Sequence, residues 1–238
     1  MNELMLIVSL ILIYGAVLVS YSLFGRSGLY VVSALATVLA NIEVLIMIKA
    51  FGMDQTLGNV LFASTFLATD ILSECEGKRA ANKAVYLGLF ATLFFLGLSS
   101  MWLAFVPSES DLAMPAIREI FTQTPRMVAA SLLVYVVSQF FDVWLYHKWW
   151  AFTEKKFGDS KKLLWLRNNG STLVSQLINS ALFTFCAFVG TYDFITLLSI
   201  FGSSYVIYVF TSLLDTPVLY LARKIKSAKL SRGELLLS

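Results

Sequence analysis

Long apolar runs separated by short polar connections dominate the pattern along the chain. Seven runs come close to the roughly 20 residues that a helix needs to cross the hydrocarbon core of a bilayer. They cover residues 4–24, 29–51, 57–73, 83–106, 127–147, 171–190 and 194–222. The pattern predicts an all-α integral membrane protein of about seven transmembrane helices, within one polytopic membrane domain over residues 1–238.

The connections between the runs refine this picture. The run at 4–24 follows Asn2 and Glu3 instead of basic residues, and it has no clear small-residue cleavage site. We therefore interpret it as a membrane helix and not as a secretory signal. In the long connection before residue 126, the sequence predicts a short surface helix over residues 114–121.

Composition and charge support a membrane protein and orient it. The chain is 58% hydrophobic and 14% charged, whereas soluble domains are charged at about a quarter of their positions. With the N-terminus outside and the C-terminus inside, 15 of the 18 Lys and Arg residues fall on the cytoplasmic side, as the positive-inside rule requires. The net charge of +3 then reflects topology, and no nucleic-acid partner is expected.

Cysteine and histidine are too few and too scattered to suggest metal or redox chemistry. Cys75 and Cys186 fall at opposite predicted faces of the membrane, and His147 is the single histidine of the sequence. Neither cysteine has ligand-spaced neighbours. We expect no disulfide, no metal site and no cofactor.

Polar residues recur inside the predicted spans at helical spacing. Asp70 and Glu74 are four residues apart, so both carboxylates lie on one face of a helix. Further polar positions on other spans are Asn41, Gln139, Asp142, Thr172, Gln176, Asn179, Tyr208 and Asp215. A charged carboxylate costs about 2.5 kcal/mol or more near the centre of a membrane helix, so such residues usually face a cavity or a partner.

The acidic residues have no evident cation partner within the runs. Lys49 and Lys83 are the only basic residues there, and both lie at run ends. The pattern therefore favours protonated carboxyls, a proton path, or a ligand that supplies hydrogen-bond donors. It disfavours an anionic substrate, which would require an arginine or a helix N-terminus.

Structural interpretations stand beside this one. Glu74 is one turn from Lys78 and is placed to pair with it at the membrane surface. Asp215 is placed to cap a kink at Pro217. The polar residues of the sixth run are also typical of contacts between helices.

Three sequence blocks resemble the vitamin uptake transporter family, also known as the queuosine precursor transporters. The blocks are ATDILSE followed by Gly77, Lys78 and Arg79, then SQFFDV at 138–143, then LLWLRNNGSTLVSQLI at 163–178. The similarity extends from about residue 35 to about residue 224, which is nearly the whole membrane region.

The resemblance implies an importer with a six-helix core, similar to the substrate-binding subunits of energy-coupling-factor transporters, plus an N-terminal helix. Its cargo would be a deazaguanine, salvaged for tRNA modification. The expected substrate-binding residues are Asn41, Asp70, Glu74, Gln139, Asp142, Thr172, Gln176, Asn179 and Tyr208. Asp70 would accept the adjacent N–H and NH₂ of a guanine-like edge, and Glu74 would line the cytoplasmic exit.

The sequence also departs from the family pattern at three positions. Asn179 stands where an Asp usually follows SQLI, Glu76 stands where a Tyr usually precedes the Gly, and Tyr208 stands where many members have a Lys. A paralogue with altered cargo, or one that works with a second copy, would fit these changes.

Three classes of function remain open from the sequence. The first is an importer in a prokaryotic cell membrane, working alone or as a homo-oligomer. The second is a binding subunit for another vitamin or nucleobase that needs an energy-coupling partner, for which Ala36 and Ala40 form a small-residue docking pair. The third is an intramembrane enzyme with Asp70 and Asp142 as a dyad, which the sequence disfavours because it lacks GxGD, GxSxG and HExxH motifs.

Overall fold

The computed structural model describes residues 1–122, 125–158 and 163–231, and this part of the chain forms seven helices and one β-hairpin. The elements are α1 (Asn2–Glu43), β1 (Met47–Ala50), β2 (Met53–Thr56), α2 (Gly58–Glu76), α3 (Lys78–Trp102), α4 (Met114–Thr122), α5 (Pro125–Phe157), α6 (Leu164–Phe188) and α7 (Phe194–Ser231). Five of the described helices, namely α1, α3, α5, α6 and α7, are long and apolar enough to cross a membrane. The chain is therefore an integral membrane protein.

Helix α1 folds back on itself at Gly25. Its 42 residues would extend about 63 Å if straight, twice the roughly 30 Å hydrocarbon core of a bilayer. Gly25 interrupts the helix with φ 59° and ψ −141°, a conformation that glycine adopts without a steric penalty. A Cβ atom on Gly28 would overlap the backbone oxygen of Ser20, so the two arms of α1 lie in direct contact. The break lies in the gap between the first two apolar runs, where the sequence predicts the end of one helix and the start of the next.

The region after α1 corrects the predicted span over residues 29–51. The helix ends at Glu43, and β1 and β2 pair as an antiparallel hairpin in which Ala50 faces Met53. Phe51 and Gly52 have positive φ angles of 53° and 74°, as the two-residue turn of a tight hairpin requires. Apolar content alone does not separate a short strand from a helix, so the helix prediction past residue 43 is wrong and the all-α description omits this hairpin.

The other helices agree with the predicted runs but extend further at one end of the bundle. Helix α3 begins at Lys78 instead of residue 83, α5 continues to Phe157 instead of 147, α6 begins at Leu164 instead of 171, and α7 continues to Ser231 instead of 222. Hydropathy marks the segment that lies in lipid, whereas a helix continues into the polar region. The surface helix predicted over residues 114–121 is confirmed as α4.

Helix α2 lies in the interior of the bundle. Sixteen of its 19 residues are buried, and it packs against α1, α3, α5 and α7. A helix that is buried on every face contacts neighbouring helices instead of lipid. This explains why polar residues are tolerated along α2. Ala36 and Ala40 pack against Leu61 of this helix, so the pair serves ordinary packing between helices, which is the commoner use of such small residues.

The bundle has two chemically different ends. At the first, which we call the hairpin end, Asn2 Nδ2 donates to Lys49 O at 2.8 Å and Ser203 Oγ donates to Asp54 O at 3.0 Å. At the second, the basic end, Tyr21 beside the Gly25 turn donates its hydroxyl to Glu76 Oε1 at 2.8 Å. The arms of α1 and the helices α2, α3, α5, α6 and α7 run between these ends.

Candidate functional site

A cavity lies between the helices at the hairpin end. It encloses about 480 Å³ of space between atoms, including its open mouth. Helices α1, α2, α3, α5, α6 and α7 all contribute to its wall. The lining residues are Thr37, Ala40, Asn41, Val44, Thr56, Gly58, Asn59, Phe62, Thr92, Ser131, Leu132, Val134, Tyr135, Asn179, Phe183 and Tyr208. None of these described lining residues carries a charge.

Hydrogen bonds fix the orientation of two amides in the cavity wall. Asn59 Oδ1 accepts from Tyr208 Oη and from Thr56 Oγ1, both at 3.1 Å. Asn179 Nδ2 donates to Gln176 Oε1 at 3.1 Å. The wall therefore presents ordered donors and acceptors to a bound molecule.

Two buried polar atoms of the same wall lack a partner in the described part of the chain. Asn41 donates through Nδ2 to Thr37 O at 2.8 Å, but its Oδ1 accepts no hydrogen bond, and the Thr92 hydroxyl is also unpaired. A buried polar atom without a partner costs about 1–3 kcal/mol. A ligand with N–H donors would remove that penalty. The rings of Phe62 and Tyr135, in edge contact at 6.2 Å between centroids, add apolar surface to the wall.

Three buried aspartates form a separate group, which we call the acid cluster: Asp70 on α2, Asp142 on α5 and Asp215 on α7. Asp70 Oδ2 accepts from Thr172 Oγ1 at 2.9 Å. Asp70 follows Asn59 by eleven residues on α2, which is about 16 Å along the helix. The acid cluster thus lies deeper than the cavity, towards the basic end.

Glu74 belongs to an ion-pair network that closes the basic end. Arg167, whose side chain is 0% exposed, donates three hydrogen bonds of 2.7–2.9 Å to the Glu74 carboxylate. Tyr146 Oη donates to the same carboxylate at 2.7 Å, and the Trp150 ring lies 4.4 Å from the Arg167 guanidinium. Arg223 Nε, on α7, lies 3.5 Å from Glu74 Oε1. One carboxylate therefore ties together α2, α5, α6 and α7.

This network corrects two expectations. Glu74 pairs with Arg167 of α6 and not with Lys78, which follows the break at Gly77 and begins α3. The expectation that the acids lack a buried cation is also wrong for Glu74. The sixth apolar run begins at residue 171 and so predicts that Arg167 lies in a connection, whereas α6 begins at Leu164 and carries Arg167 into the interior.

The predicted site residues fall into three places. Asn41, Asn179 and Tyr208 line the cavity, and Gln176 is bonded to Asn179 beside it. Asp70, Thr172 and Asp142 lie at the acid cluster, with Gln139 bonded to Thr65 and Thr69 nearby on α2. Glu74 lies at the basic end.

Residues of the cavity that the sequence did not single out include Asn59, Thr37 and Thr92. Asn59 follows a glycine at the start of the third run. Its proximity to Tyr208 depends on the packing of α2 against α7, and no local pattern carries that information. Two of the three departures from the family pattern, Asn179 and Tyr208, line this one cavity.

Fold and site define a polytopic helical membrane protein with an uncharged cavity at one end and an ion-pair network at the other. The family described as "Putative vitamin uptake transporter" matches residues 56–222. The chain is 41% identical over 208 residues to the "Probable queuosine precursor transporter" of Bacillus subtilis (strain 168), covering 87% of this chain and 89% of that protein. The chain belongs to the vitamin uptake transporter family. No solved structure matches it.

Proposed function

We propose that the chain is a multi-pass importer of a queuosine precursor in the plasma membrane of a prokaryote. The cargo is a 7-deazaguanine such as preQ0, preQ1 or queuine, salvaged for tRNA modification. The observation that carries the proposal is the uncharged cavity with an unpaired acceptor at Asn41, in a chain that is 41% identical to a relative named for this cargo.

The chemistry of the cavity suits a neutral, guanine-like heterocycle. The edge of such a base presents adjacent N–H and NH₂ donors and one carbonyl acceptor. Asn41 Oδ1 is free to accept from the donors, and the Tyr208 and Thr92 hydroxyls are placed to serve the remaining polar atoms. Phe62 and Tyr135 offer apolar contact to the ring faces. A nucleotide fits badly because a phosphate requires cationic or backbone N–H partners, and no described lining residue is a lysine or an arginine.

The remaining predicted site residues have places in this proposal. Asn41, Asn179 and Tyr208, supported by Gln176, contact the cargo when the hairpin end is accessible. Asp70, Gln139, Asp142 and Thr172 lie along the route that the cargo follows through the bundle. Glu74 closes that route at the basic end, through its ion pair with Arg167.

We further propose seven transmembrane spans with the N-terminus outside. The two arms of α1, the interior helix α2, and α3, α5, α6 and α7 provide the spans. With 15 of the 18 Lys and Arg residues on the inner side, the basic end faces the cytoplasm. The cavity then opens to the outside, where an importer meets its cargo.

Cysteine labelling in intact cells tests this orientation. In a background with Cys75 and Cys186 replaced, we expect a membrane-impermeant maleimide to modify Ser110→Cys and to spare Ser160→Cys until the cells are permeabilised. Modification of Ser160→Cys in intact cells would contradict seven spans with an outer N-terminus.

A ligand panel with the purified chain tests the function. We expect binding of a 7-deazaguanine base, weaker binding of guanine and none of unrelated vitamins. Tight binding of guanosine monophosphate, with the free bases ignored, would contradict the proposal. Liposomes then separate the mechanisms: uptake by the chain alone supports an autonomous importer or homo-oligomer, whereas binding without uptake supports a subunit that needs an energy-coupling partner.

A further inference from the structure

The acid cluster brings three carboxyl groups together in the interior of the bundle. Asp70 and Asp142 are 0% exposed and Asp215 is 1% exposed. Asp142 and Asp215 both lie near enough to Asp70 to interact with it electrostatically. The three residues come from α2, α5 and α7, and each of these helices also lines the cavity.

Four of the six carboxyl oxygens of the cluster have no hydrogen-bond partner among the described residues. In the described part of the chain, both oxygens of Asp142 and the Oδ1 atoms of Asp70 and Asp215 have no partner. Ser171 and Ser175 face Asp142, yet their hydroxyls donate to backbone oxygens at 2.8 Å. Fully buried, unpaired oxygens of this kind require a proton or a cation to be tolerated in a membrane.

The charged and titratable groups around the cluster do not supply that cation. Tyr14 of α1 approaches Asp215, and Tyr146 of α5 approaches Asp70. Tyr146 and the neighbouring Arg167 of α6 are hydrogen-bonded to Glu74. The described residues of α3 contribute no charged group to the cluster. Three ionised carboxylates would repel one another strongly in this medium.

We propose that the acid cluster is a proton-binding site that couples cargo movement to the transmembrane proton gradient. This inference rests on the proposed function of the cavity. Protons enter from the outer aqueous phase, bind carboxylates of the cluster and leave to the cytoplasm, so that no other co-reactant is needed. The protonated cluster allows α2, α5 and α7 to pack together.

The position of the cluster links proton release to opening of the basic end. Asp70 precedes Glu74 by four residues on the same face of α2, so the cluster lies one helical turn from the ion pair with Arg167. Loss of protons to the cytoplasm creates like charges on three helices that the Glu74 network also ties together. Their repulsion loosens the basic end and releases the cargo inwards.

Uptake of labelled preQ0 into liposomes containing the full chain tests the coupling. The membrane potential is held at zero with valinomycin and equal potassium, with pH 7.5 inside and pH 6.0 or 7.5 outside. We expect the inward gradient to raise the initial rate at least fivefold and an uncoupler to abolish the increase. Asp142→Asn should lose this stimulation. Asp54→Asn, an exposed carboxylate of the hairpin, is the matched control and should respond as wild type does.

The outcomes separate this inference from the proposed function. Uptake that ignores the gradient, or an Asp142→Asn variant that still responds to it, overturns the proton site and leaves the importer in place. Absence of preQ0 binding contradicts the proposed function instead. Asp70→Asn replaces Asp142→Asn if the latter does not fold.

A second readout needs no ligand. A group that holds its proton in the folded protein but releases it when unfolded makes stability fall as pH rises. The melting temperature of the wild type in detergent should therefore fall between pH 5 and pH 8 by several degrees more than that of Asp142→Asn. Equal slopes for the two proteins would overturn the proton site even if preQ0 proved to be the wrong probe.

Discussion

Glu74→Gln should be among the most damaging single substitutions in the protein, although it removes no side-chain volume. It leaves the guanidinium of Arg167, 0% exposed, opposite a neutral amide. Removing one partner of a buried ion pair costs about 3–5 kcal/mol, because the remaining charge is buried without compensation. The Trp150 ring, 4.4 Å from the guanidinium, offsets only a part of this loss.

The chain offers a matched control two residues away. The Glu76 side chain is 15% exposed and lies 3.4 Å from Lys226, which is itself 28% exposed. An ion pair that is partly accessible to water contributes about 0–1 kcal/mol. We therefore expect Glu76→Gln to change stability by less than a third of the effect of Glu74→Gln, although the substitution is chemically identical.

Thermal unfolding in detergent, followed by tryptophan fluorescence, measures both variants. For a chain of this length 1 kcal/mol corresponds to about 2–4 °C, so Glu74→Gln should lower the melting temperature by about 6–20 °C. The double variant Glu74→Leu with Arg167→Met should recover part of the loss, since it leaves no buried charge unpaired. A Glu74→Gln protein that melts within 2 °C of wild type, or together with Glu76→Gln, would refute the reasoning.

Three further predictions concern the cavity, the acid cluster and the fold of α1. Asn41→Leu removes the unpaired acceptor and should weaken preQ0 binding by about 5- to 150-fold, the equivalent of about 1–3 kcal/mol. Titration calorimetry compares it with Asn82→Leu, whose site near the start of α3 is not part of the cavity lining; equal affinities of the two variants would contradict the prediction. Asp70→Asn should bind preQ0 with an affinity within threefold of wild type, because Asp70 lies outside the cavity. A tenfold loss of affinity would indicate that Asp70 contacts the cargo. Gly28→Ala should lower the free energy of unfolding by about 1–3 kcal/mol, because the added Cβ overlaps the facing arm of α1. Gly15→Ala, with no atom within 4 Å of the added Cβ, is the control and should change it by less than about 1 kcal/mol. Equal melting temperatures of the two variants would contradict the fold-back of α1.

Hydropathy predicted much of the architecture because lipid imposes a simple rule on the sequence. The gap between the first two apolar runs located the turn at Gly25, and the run of residues 57–73 located the helix that became α2. The same rule did not predict the hairpin of β1 and β2, since Ile48 and Ala50 are as apolar as helix residues. It also began the sixth span after Arg167, because a guanidinium enters the interior only when tertiary structure supplies its carboxylate.

The sequence indicated which polar residues are candidates for a site, but not how these residues are arranged in space. Helical spacing places residues such as Asp70 and Glu74 on one face, yet it says nothing of their depth or of which helix they meet. The sequence therefore merged Asn41, Asn179 and Tyr208 of the cavity with the acid cluster into one site. On α2 the last cavity-lining residue, Phe62, precedes Asp70 by eight residues, or about 12 Å. Which residues of the other helices join each group follows from how the helices pack, which no local pattern encodes.

A structure of the protein with preQ0 bound tests the central claim most directly. We predict that the base lies in the cavity at the hairpin end, with its N–H donors on Asn41 Oδ1 and its ring against the side chains of Phe62 and Tyr135. A base bound against Asp70 and Asp142, with the cavity empty, would contradict the claim.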